Sequence, residues 1–205
     1  MWCRIVTHYA DWVSHIPEFT KLSYHDQLKL IVDRSAPCVS VLIAYKTYIT
    51  NGEGIVLSGG SYFPRDELQQ EIMDPAIRPY LKRLTDILYD EFVIPATEMK
   101  MTEIEYSLLR LLVFLMPSDN MSYEGKEIIR QASNFYRNIL CLQIKKQFPK
   151  WDDEEILDRM TKIMTFLPLM EIAKSASNAG FSVMTLFDIA QMKGELIYDV
   201  HVKRD

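Results

Sequence analysis

The sequence predicts an all-α domain, about three helical layers deep, with one small β-hairpin. Three observations carry this reading. Only 7 of the 205 residues are glycine, against 11 methionines and 11 tyrosines. Few glycines favour helices, and methionine fills irregular, adaptable cavities. Apolar residues recur at helical spacing through most of the chain. Four of the seven glycines, Gly52, Gly54, Gly59 and Gly60, fall in one stretch, TNGEGIVLSGGSYFP at 50–64, where the pattern becomes that of a hairpin.

The elements follow in order. Trp2, Ile5, Val6, Tyr9, Trp12, Val13 and Ile16 predict a first helix to about Glu18, with a kink or stop at Pro17. Ser23 and Asp26 form an S-x-x-D start signal for a second helix. Pro37 interrupts it, and an apolar run resumes from Val39 to Ile49, so two joined helices with a bend are expected. The glycines at 50–64 bracket Ile55-Val56-Leu57 and Tyr62-Phe63, a hairpin too small to stand without the helices. Gly59-Gly60 lacks the Lys-Ser/Thr pair of a phosphate loop. A short helix covers Asp66 to Met73. The next, Ala76 to Ile94, lies between Pro75 and Pro95 with Ile77, Tyr80, Leu81, Leu84, Ile87, Leu88 and Phe92 on one stripe. Thr102 and Glu105 make a capping box for a helix that is apolar on nearly every side, Leu108 to Leu115, and therefore central. A long helix follows from Tyr123 to Phe148 and stops at Pro149. Asp152 to about Gln191 is helical again, with a kink at Pro168 and a soft point at Gly180.

Composition narrows the function. The net charge is −5 and the isoelectric point about 5.4, which disfavours a nucleic-acid grip by this segment, since phosphate binding needs a basic surface. Cys3, Cys38 and Cys141 are odd in number and widely spaced, with no metal pattern, and suggest a reducing compartment. No stretch approaches a membrane span; the longest apolar run, Leu108 to Met116, is broken by Arg110. The amino-terminal residues lack the shape of a signal peptide and begin in mid-pattern, so a piece of a longer chain is expected. An enzyme is not expected. His25 and Asp26 are adjacent and point apart on a helix, His8 and His15 are two turns apart, and no nucleophile elbow, zincin or P-loop motif is present.

The segment from Trp12 to Ile31 resembles the signature of the nuclear hormone receptor ligand-binding domain. Its aromatic, apolar and Asp-Gln positions are Trp12, Phe19, Leu22, Asp26-Gln27 and Leu30-Ile31. GIVLSGGSYFPR is similar to that family's hairpin, MTEIEYSLLRLLVFLMP to its eighth helix and DRMTKIMTFLPLMEI to its tenth, all in family order. The resemblance implies a three-layer antiparallel helical sandwich over residues 1–205, from the family's third helix to its activation helix. It looks most like the divergent orphan receptors of roundworms. It further implies a ligand-regulated transcription factor of the nucleus, with the first helices and the zinc-finger DNA-binding domain upstream. No cofactor is expected here, zinc being confined to that upstream domain.

The resemblance also implies sites. A coactivator or corepressor helix would lie in a groove of Ser14, Ile16, Phe19, Leu30 and Ile31, closed by Leu196, Ile197, Asp199 and Val200 of the last helix. In the family a third-helix cation and a last-helix acid cap the partner helix. Here Ser14 stands in place of one lysine and Val32 in place of a second, so weak charge selectivity, or use of Lys29 or Arg34, is expected. A pocket for a lipophile such as a fatty acid or sterol would be walled by Trp2, Ile5, Val6, Ile43, Leu57, Ser58, Ser177, Phe181 and Met184. Lys46 is placed to meet a carboxylate as a point charge. The alternative is a ligand-independent interaction module, its pocket filled by Trp2, Tyr9 and Phe181. Glu105 and Arg159 would form a structural ion pair between the eighth helix and the loop before the tenth. Residues from Lys162 to Lys174 would form a homo- or heterodimer surface if Met164, Met170 or Ile172 were exposed. No membrane partner is expected.

Overall fold

The structure, a computed structural model, describes residues 2–57 and 61–186, with side chains from Ile5 onward. The helices are α1 (Trp2–Ser14), α2 (Tyr24–Asp33), α3 (Ser35–Thr50), α4 (Glu67–Gln70), α5 (Arg78–Leu88) and α6 (Ile94–Glu98). They continue with α7 (Glu103–Phe114), α8 (Tyr123–Gln147) and α9 (Asp153–Leu186), and a two-stranded sheet joins β1 (Gly54–Val56) to β2 (Tyr62–Pro64). The chain divides into two compact units, residues 1–39 with 100–170, and residues 40–99 with 171–205.

In the first unit α1 ends at Ser14, four residues before the expected Glu18. The reason is Pro17, which disfavours helical geometry in the residue before it. The chain tightens instead, Ile16 N–H donating to the Val13 carbonyl at 3.0 Å, and a 3₁₀ turn follows at Phe19–Lys21. Ser23 caps α2 as its sequence signal requires, accepting from Asp26 N–H. The capping box of α7 is also present, with Thr102 and Glu105 exchanging bonds. Phe114, fully buried at the end of α7, gathers the rings of Tyr9, Trp12 and Phe19 at centroid distances of 6.4, 5.8 and 6.0 Å. Leu109, Leu112, Val113 and Leu115 are likewise fully buried, as expected of a central helix.

The bend between α2 and α3 falls at Arg34, three residues before Pro37. Pro37 sits in the first turn of α3, where a helix needs no N–H donor, so it starts the helix instead of interrupting it.

In the second unit the hairpin is antiparallel, with Ile55 opposite Phe63. Gly54 is required there, because a Cβ would run into the Phe63 carbonyl. Thr47 ties the hairpin to α3: its hydroxyl accepts from Val56 N–H at 2.8 Å and donates to the Ile43 carbonyl at 2.9 Å. Gly59 and Gly60 of the expected turn lie outside the described residues. The helix expected to stop before Pro95 runs on to Glu98, through a wider π turn at Tyr89–Val93. Ile94 N–H reaches back five residues to the Tyr89 carbonyl. That extra residue per turn lets Pro95 open α6 as a new first turn. α9 continues as helix through Pro168. No described helix is long and apolar enough to cross a membrane.

Candidate functional site

The corner made by α1 and α2 is fixed from below by polar contacts. The Tyr9 hydroxyl donates to the Ile31 carbonyl at 2.9 Å. Tyr9 is 3% exposed, and burial holds its pKa well above the ordinary phenol value. Gln27 donates its side-chain amide to the carbonyls of Phe19 and Leu22, closing the connection. Asp26 then ties the corner to α8. Its carboxylate, 1% exposed, accepts from Ser122 N–H at 2.8 Å, Ser122 Oγ at 2.6 Å and Ser23 Oγ at 2.9 Å. Burial alone would raise its pKa, but the bonds from Ser122, Ser23 and His25 outweigh that and hold it below the ordinary value. One carboxylate thus joins the serine caps of two helices whose sequences lie 96 residues apart. Gly125 backs the site: a Cβ there would stand 2.6 Å from Asp26 Oδ2. Ser122 caps α8 by accepting from Gly125 N–H, a start signal local to the sequence like those at Ser23 and Thr102.

Above these contacts α2 shows apolar side chains to solvent. Leu28 and Val32, one turn apart on α2, are 47% and 41% exposed. Phe19 and Ile31 are half-buried. Ile16 and Leu30 do not line the face: at 5% and 0% exposure they point into the core, so the outward apolar pair is Leu28 and Val32. Ser14 is exposed, but its hydroxyl donates to the Asp11 carbonyl of its own helix at 2.7 Å. Arg34 is not available as a substitute cation. It is 2% exposed, and its Nε donates to the Val113 carbonyl at 3.1 Å. Lys29 is half-buried on α2, four residues before Asp33. Arg110 stacks on Trp12, its guanidinium carbon 4.0 Å from the ring centroid.

Glu105 is fully buried and takes two bonds from Arg159, Nε at 2.8 Å and a terminal nitrogen at 2.9 Å. It also accepts from Thr102 N–H and Oγ. Arg159 lies inside α9 and not in a preceding loop: the helix begins where its sequence pattern places it, behind a second capping box of Asp152 with Glu155.

The residues assigned to a ligand pocket are distributed over both units. In the first, Ile5 and Val6 are half-buried. In the second, Ile43 and Ser177 are buried, with the Ser177 hydroxyl satisfied by the Ala173 carbonyl at 2.8 Å. Lys46, Leu57, Phe181 and Met184 are half-buried. The side chain of Trp2, Ser58 and the activation segment with Leu196, Ile197, Asp199 and Val200 lie outside the described residues. On α9, Met170 is fully buried, while Ile172 is 52% exposed; Met164 is half-buried. No group of side chains that could hold a metal occurs among the described residues.

Residues 1–187 match the family model for the ligand-binding domain of nuclear hormone receptors. The chain is similar to nuclear hormone receptor family member nhr-100 of Caenorhabditis elegans, 29% identical over 98% of this chain and 46% of that one. It is similar to nhr-4 of the same organism, 25% identical over 98% of this chain and 39% of that one, and to nhr-69, 22% identical over 80% and 42%. The chain spans less than half the length of these relatives. The match describes a receptor domain and not an enzyme, and it runs through both units, from α1 to the end of α9: this chain belongs to the nuclear hormone receptor ligand-binding domain family.

Proposed function

We propose that the chain is the ligand-sensing, coregulator-recruiting part of a nuclear transcription factor. Its ligand is a lipophile, a fatty acid or sterol, with Lys46 placed to meet a carboxylate. DNA contact and zinc belong to an upstream domain, and the partner is a short amphipathic helix that lies across α1 and α2. The observation that carries this reading is the α1–α2 corner. It is locked by Tyr9, Gln27 and Asp26 on its inner side and shows Leu28 and Val32 to solvent on its outer side. Fixed apolar side chains outside a polar lock suit a helix-in-groove contact. Leu196 to Val200 would close the groove, with Asp199 capping the partner's amino-terminal end and its carboxy-terminal end lying over the last turn of α1.

The test is titration of a labelled Leu-x-x-Leu-Leu helix, and of a corepressor-type helix, against the wild type and Val32→Asp. Binding of at least one peptide, weakened about tenfold or more by the buried charge of the variant, is expected. Absence of binding by either peptide would remove this reading.

A further inference from the structure

On α4 the usual order of burial is inverted. Gln70, a polar residue, is 3% exposed, and its amide donates to the Pro64 carbonyl of β2 at 2.8 Å. Leu68 and Ile72, two residues to either side, are 76% and 90% exposed. They stand four residues apart in consecutive turns, the second closed by Met73 N–H on the Gln70 carbonyl, and both face away from Gln70. Tyr62 of β2, 47% exposed, is drawn to the same turn by its hydroxyl, which donates to Gln69 Oε1 at 3.3 Å. Single exposed apolar residues are ordinary. A group turned outward, over a polar residue turned inward, adds nothing to the interior of its unit and offers a surface.

Carboxylates surround this patch. Asp66 caps α4 by accepting from Leu68 and Gln69 N–H, Asp74 accepts from Ala76 N–H at 2.8 Å, and both residues remain exposed. Glu71, also exposed, pairs with no described cation. The neighbouring cations are already engaged. Lys82 is shared between Glu67 at 3.3 Å and Asp86 at 3.6 Å, and Arg65 is held by Asp90 at 2.8 Å. Arg78 donates to the carbonyls of Glu71 and Met73. The patch is therefore apolar at its centre and negative at its rim.

We infer that α4 is a docking surface for a second partner, separate from the α1–α2 groove: a basic amphipathic segment of another protein. That segment seats apolar side chains on Leu68 and Ile72 and sets lysine or arginine against Glu71 and Asp74. The apolar pair supplies most of the affinity, because burying an exposed aliphatic side chain is worth more than an exposed ion pair. The rim supplies the choice of sign, and it disfavours an acidic partner or a second copy of the same patch.

The experiment titrates a labelled amphipathic helix, leucine on one face and lysine on the other, and its counterpart with glutamate for lysine. The wild-type chain binds the lysine peptide more tightly, and the difference fades at high salt. Leu68→Ser with Ile72→Ser lowers that affinity about tenfold or more, with the unfolding midpoint unchanged because both side chains are exposed. Glu71→Lys lowers it about two- to fivefold at low salt, and Val32→Asp on α2 leaves it as it was. Binding of neither peptide, equal binding of both, or an affinity that survives the α4 variants and falls with Val32→Asp would overturn the inference. Capture by phosphatidylcholine vesicles without peptide binding would overturn it in favour of a lipid surface. The groove reading, tested with Leu-x-x-Leu-Leu peptides, stands or falls separately.

Discussion

The two units differ in how they are held. The first is stitched by buried polar contacts: Glu105 with Arg159, Asp26 with Ser122, Arg34 with the Val113 carbonyl and Tyr9 with the Ile31 carbonyl. In the second, the described ion pairs are at the surface, Arg65 with Asp90 and Lys82 with Glu67 and Asp86. Its described interior polar ties are made by neutral side chains, Thr47 between α3 and the hairpin and Gln70, 3% exposed, from α4 to the Pro64 carbonyl of β2, amid apolar packing. Buried polar contacts are directional and tolerate no slippage, whereas apolar packing accepts exchanges of similar volume. A surface proposed to present Leu28 and Val32 to a partner helix belongs on the first kind of frame. Side chains proposed to fit a variable lipophile, such as Phe181 and Met184, belong on the second.

The contrast can be tested from its strongest member downward. Glu105→Ala leaves Arg159 buried without its partner and is expected to cost about 3–5 kcal/mol, read by denaturant unfolding. A double-mutant cycle with Arg159→Met would return a large coupling. Asp26→Asn is expected to cost about 1.5–3 kcal/mol, since the bonds it weakens go to a buried charged group. It also carries a pH signature. The folded pKa lies below the ordinary carboxyl value. The stabilisation is therefore complete above about pH 4 and is lost as pH falls through the folded value. The difference between wild type and variant is expected to shrink on the acid side of pH 4; a constant difference would show that the charge is not what the serines hold.

Glycines sharpen the same comparison. Gly125→Ala improves helix propensity by up to about 1 kcal/mol, yet its Cβ would lie 2.6 Å from Asp26 Oδ2. A net loss of about 1–3 kcal/mol is expected. Gly180→Ala in the second unit meets the Tyr80 side chain, its Cβ at 3.1 Å and Cγ at 3.8 Å, and is expected to stay within about 1 kcal/mol of wild type. Arg65→Ala removes an exposed pair with Asp90 and a contact over the Tyr89 ring at 4.1 Å. It is expected to cost no more than about 1 kcal/mol by thermal unfolding. Equal losses at Gly125 and Gly180 would dissolve the distinction between the units.

What the sequence revealed was local. The caps at Ser23 and Thr102, the stripe of α5 and the hairpin around Ile55 are each written within a few residues. The prolines were harder, because a proline stops a helix or starts one depending on the turn before it. Pro37 and Pro95 both start one, the second behind a π turn that no short pattern announces. The orientation of Leu28 and Leu30 depends on where α2 faces, which Tyr9 and Asp26 decide through partners 22 and 96 residues away. Asp26 therefore read as a helix-start residue, when it also anchors α8.

Native mass spectrometry of the purified chain with a Leu-x-x-Leu-Leu peptide asks whether one domain both retains a lipophile and offers a face to a partner helix, as proposed. A retained small molecule, extractable into organic solvent, is expected, with peptide complexes formed by the protein that carries it. A spectrum of protein alone, with neither a retained lipophile nor a peptide complex, would contradict it.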